Sequence, residues 1–119
     1  MKFSPGYGKA NRMKQYEIKV SDNAIEDMDA IYDYISETLL EPSIAEKQYD
    51  RIVDAIMSLD VMPQRIKVMD TLPERSQGLG PLRVDNYTVF FVIQEDTVNV
   101  ARVLYSASDI SKRLSEKTF

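Results

Sequence analysis

The residues best suited to chemistry are two arginines and two tyrosines in the last third of the chain: Arg83, Tyr87, Arg102 and Tyr105. Arginine offers a planar fork of donors for phosphate or carboxylate, and tyrosine a flat face with a polar tip. Together they suit a phosphate with stacked bases, or an acidic protein partner. Arg83 precedes an Asp85-Asn86 turn, Tyr87 follows it, and Arg102 and Tyr105 sit in the next apolar run. On neighbouring strands the four would converge on one concave patch. Each also has a structural explanation. The tyrosines can cap a core with their hydroxyls in water, and Arg102 can pair with an acid from a helix.

The 119 residues include no cysteine and no histidine. That excludes disulfides, thiol catalysis, a Ser-His-Asp triad and any histidine-containing zinc site. The strand half holds no tight acidic cluster, so neither metal nor cofactor is expected. The net charge of −4 argues against a surface that binds nucleic acid throughout. Residues 14–62 carry 12 acids and 4 bases, residues 63–119 carry 7 and 8, and residues 1–13 hold Lys2, Lys9 and Arg12 with no acid. The pattern fits an acidic helical face and a weakly basic sheet side. No apolar run reaches membrane-spanning length, and residues 1–13 lack the apolar core of a signal peptide. They read as a flexible extension ahead of one cytoplasmic domain over 14–119.

Positioning those four residues requires a sheet, and the periodicity provides one. Tyr16, Ile18 and Val20 alternate with Glu17 and Lys19, the pattern of a half-buried strand. Ser21-Asp22-Asn23 offers helix caps ahead of an apolar stripe at Ile25, Met28, Ile31, Tyr32, Ile35 and Leu39. Pro42 restarts a helix whose stripe is Ala45, Tyr49, Ile52, Ala55, Ile56 and Leu59, and Pro63 closes it. Both stripes read as core. The two helices should form an antiparallel hairpin on a shared sheet. Ile66, Val68 and Met69 are compatible with a short strand. Leu82–Val84, Thr88–Ile93 and Val98–Tyr105 follow as a meander. Simple alternation puts Val98, Val100, Arg102 and Leu104 on one face of the last strand. Asp109 can cap a short helix over Ile110–Lys117. The expected fold is α+β: an N-terminal strand, a helical hairpin on a mainly antiparallel sheet, and a short C-terminal helix.

With these elements in place, Ile31-Tyr32-Asp33-Tyr34-Ile35 resembles the first-helix signature of RelE/ParE-type toxins of bacterial type II toxin–antitoxin systems. Arg75-Ser76-Gln77-Gly78-Leu79, Val84-Asp85-Asn86-Tyr87, the strand to Phe91, and Arg102-Val103-Leu104-Tyr105 before Asp109-Ile110-Ser111 match in the same order. The likeness runs from about Tyr16 to Leu114. It implies a small toxin of a plasmid-stabilisation module, held in a hetero-oligomer by a cognate antitoxin whose tail masks its active surface. RelE-like members cut mRNA on the ribosome, and ParE-like members poison DNA gyrase without a known bond-breaking site. In RelE-like nucleases an arginine follows the tyrosine corresponding to Tyr87, where this chain has Thr88. Basic residues are common between the positions of Tyr105 and Asp109, where it has Ser106-Ala107-Ser108.

A nuclease would have to use Lys67, Arg83 and Arg102 on the phosphate with Tyr87 or Tyr105 assisting. None of these is a base near neutral pH without a large shift. The leading expectation is therefore a ParE-like toxin that inhibits DNA gyrase by binding. Arg83, Tyr87, Arg102 and Tyr105 would form its surface, with Lys112 and Arg113 at the periphery. A ribosome-dependent mRNA endonuclease and a degenerate toxin that only binds its antitoxin stay open as alternatives.

Overall fold

Alternation in the first segment gives β1 (Glu17–Val20), and the chain then enters α1 (Asp22–Asp33) at Ser21. The computed structural model describes residues 14–70 and 78–117, so the 1–13 extension and the Arg75-Ser76-Gln77 match lie outside the described residues. A π-turn (Tyr34–Thr38) leads to α2 (Pro42–Met57), with Pro42 in the first turn where its missing N–H has no partner to lose. Two short 3₁₀ turns, Ser58–Asp60 and Pro63–Arg65, follow. Then come β2 (Gly80–Val84), β3 (Tyr87–Gln94), β4 (Thr97–Tyr105) and α3 (Ile110–Lys117). Asp109 caps α3, its Oδ1 accepting from the Lys112 N–H at 3.3 Å.

The sheet order is β1-β4-β3-β2. β2, β3 and β4 form an antiparallel meander, and β1 lies parallel to β4 from Glu17 beside Thr97 to Val20 beside Val100. One face of the sheet carries the helical hairpin. There Ala24, Met28, Ile52, Ile56 and Leu59 pack on Val84, Val89, Phe91, Val98, Val100 and Val103. The other face carries a smaller core of Leu79, Phe90, Leu104 and Leu114, the last supplied by α3.

Gly80 has a specific task on the hairpin face. A β-carbon there would stand 2.9 Å from the Phe91 ring. Phe91 is buried, so it has little room to retreat. Gly80→Ala is expected to destabilise by about 1–3 kcal/mol, the usual range for overpacking, read as a lower urea midpoint at unchanged slope.

Three expectations need correction. The stripe of the first helix is not all core: Ile25 is 43% and Leu39 51% exposed, while Ala24, Met28 and Ile35 are buried. The helix ends early, because at Tyr34 the bonding lengthens. Leu39 N–H reaches Tyr34 O, Glu41 N–H reaches Ile35 O, and Leu40 takes the left-handed φ of 57°. That turns Leu39 and Leu40 outward. Ile66, Val68 and Met69 form no strand; Met69 N–H makes a single bond to Leu79 O.

The third correction matters most for function. Between β3 and β4 the register slips: Phe90 faces Arg102 but Phe91 faces Val100, leaving Ala101 as an extra residue. A bulge of this kind inverts every side chain beyond it relative to simple alternation. Val98 and Val100 stay on the hairpin face, Val103 joins them, and Arg102 and Leu104 turn to the α3 face.

β1 ends alongside Val100, so the next residues of β4 have no strand neighbour on that side. Helix α1 covers this edge. Ser21 N–H donates to Val100 O at 2.9 Å. Its hydroxyl donates to Ala101 O at 2.9 Å while accepting from Ala24 N–H at 3.0 Å. Asp27, further along the helix, accepts the Val103 N–H at 3.0 Å. Backbone groups that would otherwise be left open are thereby satisfied, and the edge is blunted.

Candidate functional site

Arg102 is held where the bulge puts it. Its side chain is 3% exposed, and its Nε and Nη2 donate to Asp27 Oδ2 and Oδ1 at 2.6 and 2.9 Å. Nη1 donates to the Arg113 carbonyl at 2.9 Å. Hydrogen bonding to Asp27 raises the guanidinium pKa above its ordinary value, more than burial lowers it. One arginine thus joins α1, β4 and α3. A bidentate pair of this kind fixes orientation as well as distance.

Tyr87 and Tyr105 lie opposite one another at the ends of β3 and β4, with ring centroids 5.9 Å apart and planes at 63°. They form one wall of a cleft of about 650 Å³ beside the β4 edge that α1 covers. The floor and far wall are Ala30 and Ile31 of α1 with Tyr34 and Leu39 just beyond it, and Val103 and Leu104 of β4; Asn86, Asp27 and Arg113 complete the rim. Burial pushes the Tyr87 hydroxyl pKa up, and the neighbouring Tyr105 and Tyr34 hydroxyls add to the shift. The phenol is therefore a neutral donor and acceptor through the physiological range. Tyr34 and Tyr105 are about half exposed, so aromatic surface faces solvent across the cleft.

The four expected residues do not converge. The structure brings Tyr87 and Tyr105 together and adds Arg113 at the rim. Arg83 pairs with Thr88, whose other neighbour is Leu104, so it belongs to the α3 face; its Nε donates to Asp85 O at 3.0 Å. Arg102 is on that face too, and buried. Lys67 is exposed in the segment leading to Met69, which is tied to Leu79 toward the other end of the sheet. Lys112 is exposed on α3.

Tyr34, Asn86 and Leu39 were not among the expected site residues. Tyr34 sits three positions after Ile31 at the border of the apolar stripe, and an aromatic at a stripe border is the signal that marks it.

Two positions at which the sequence departs from the resemblance, Thr88 and Ser106, meet in space. The Thr88 and Ser106 hydroxyls are hydrogen-bonded at 2.7 Å, and Ser106 N–H donates to Asn86 O at 2.8 Å. The short loop after β4 is thereby closed onto the β2–β3 turn. Among the described residues no group of acids forms a metal site, and no helix is long and apolar enough to cross a membrane.

No curated protein matches the sequence. A chain of the chromosomal ParDE toxin–antitoxin system from P. aeruginosa has the same fold, with a TM-score of 0.65 at 21% identity over 76% of this chain and 96% of that one. A chain of the RelBE2 toxin–antitoxin complex from Mycobacterium tuberculosis gives 0.57 at 20% identity over 82% and 98%. The model of the ParE toxin of type II toxin–antitoxin systems matches residues 18–110, from β1 through the bulged strand to the start of α3. A match of that extent decides the matter: the chain belongs to the ParE toxin family of type II toxin–antitoxin systems.

Proposed function

We propose that this toxin acts by gripping DNA gyrase through the tyrosine cleft rather than by cutting RNA, and that a cognate antitoxin covers the same cleft. The observation that carries the reading is the placement of Arg102. Metal-free RNA cleavage needs cations gathered on the phosphate beside the groups that move protons. Of the three cations that a nuclease would use here, Arg102 is buried against Asp27 and Arg83 lies on the opposite face from the tyrosines. Lys67 lies toward the far end of the sheet. What surrounds the tyrosines is an apolar cleft with aromatic walls, the kind of surface that seats a partner's anchor side chains. The neighbours in fold come from toxin–antitoxin complexes, which supports an antitoxin as one such partner.

The test is a supercoiling assay with purified gyrase and the full chain. The reading expects dose-dependent inhibition and intact mRNA in a parallel translation reaction. Cleaved mRNA on programmed ribosomes, with gyrase unaffected, would overturn it.

A further inference from the structure

We propose that Arg51 and Gln48 of α2 are positioning residues for the tyrosine cleft, acting through Asp85 in the turn that leads into Tyr87. The inference rests on the reading of the cleft as the gripping surface. The β2–β3 turn is only two residues long, and Asp85 takes a φ of 55°, a left-handed conformation that aspartate tolerates better than most residues but at some cost relative to glycine. Left alone, the turn has reason to relax, and Asn86 and Tyr87 would move with it. Three side-chain bonds from α2 oppose this. Arg51 Nε and Nη2 donate to Asp85 Oδ2 and Oδ1 at 2.7 and 2.9 Å, and Gln48 Nε2 donates to Oδ2 at 3.1 Å.

Gln48 and Arg51 are three residues apart and therefore share a helix face. The arginine fork fixes the orientation of the carboxylate, and Arg83, at the end of β2 two residues earlier, holds the Asp85 carbonyl at 3.0 Å. Beyond Asp85 the same turn presents the Asn86 carbonyl to Ser106 N–H and sets Tyr87 against Tyr105. Neither Arg51 nor Gln48 lines the cleft. Their effect on it passes through the turn. Exposed ion pairs contribute little to global stability, so the effect should be local and leave the melting temperature nearly unchanged.

Amide exchange by NMR on the free, full chain tests this. In Arg51→Ala the Ser106 N–H should exchange at least about tenfold faster, as for a local opening, while Val103 N–H, held by Asp27, keeps its wild-type rate. Loosening the turn should also hydrate Tyr87, so that its titration falls back toward the free value of 10.0. Arg51→Lys, with the charge but not the fork, should lie between. Asp85→Gly removes the latch yet suits the turn's φ, so it should speed Ser106 exchange without lowering the melting temperature. Unchanged Ser106 exchange and Tyr87 titration in both Arg51→Ala and Asp85→Gly would overturn the proposal. So would a loosened turn with gyrase inhibition at full strength. The exchange and titration signals come from the free protein, so they stand apart from the target. A latch that behaves as stated in a chain that never inhibits gyrase would sink the gyrase reading and leave the latch intact.

Discussion

Arg102→Ala is expected to destabilise the fold by about 3–5 kcal/mol, the cost of leaving a buried carboxylate without its cation. Asp27 would stay behind with its side chain 11% exposed, still accepting the Val103 N–H but facing an empty space. The Arg113 carbonyl would lose its donor too, loosening α3 over Phe90 and Leu104. For a domain of this size the melting temperature should fall by roughly 10 °C or more. Replacing both partners, Asp27→Leu with Arg102→Met, should be milder than removing the arginine alone, because no charge is then left stranded. Loss of toxicity in Arg102→Ala would then follow from loss of the fold. Unchanged melting with abolished toxicity would instead place Arg102 at the target surface, against the geometry described above.

The second large effect concerns the target. Tyr105 is about half exposed, so its ring supports the fold chiefly through its edge contact with Tyr87, a pair worth about 0.5–1.5 kcal/mol. A tyrosine at the wall of an apolar cleft is a typical hot spot, and truncating one typically costs at least about 2 kcal/mol of binding, roughly thirtyfold in affinity. Tyr105→Ala should therefore weaken gyrase inhibition by at least about thirtyfold while shifting stability by no more than about 1.5 kcal/mol. Tyr87→Phe, which keeps the ring and removes only the hydroxyl, should lose much less. Inhibition constants and urea midpoints on the same preparations check both.

Local signals in the sequence carried the elements well. Alternation marked β1, an unbroken apolar run marked β3, Pro42 marked the start of α2, and Asp109 marked the cap of α3. Each depends on neighbours within a turn or a strand pair. The site was less legible because it depends on two things that leave no local mark. One is the bulge: Ala101 looks like any small strand residue, yet its insertion puts Arg102 on the α3 face and Tyr105 on the hairpin face, where alternation from Val98 and Val100 expects the reverse. The other is the identity of Arg102's partner. An arginine in an apolar strand announces that it needs an anion, but nothing in its surroundings points to Asp27, 75 residues earlier. The outward turn of Leu39 has a similar origin, since its apolar spacing continues the stripe while the backbone changes to a π-turn beneath it.

The central claim, gripping rather than cutting, is tested most directly in cells expressing the wild-type chain from a tight promoter. Genome-wide mapping of mRNA 5′ ends would be read beside a DNA-damage reporter, with Tyr105→Ala as the control. The account predicts growth arrest with the damage response induced, no cuts phased to codons, and both effects weakened in the variant. Codon-phased cuts in translated mRNA without DNA damage would contradict it.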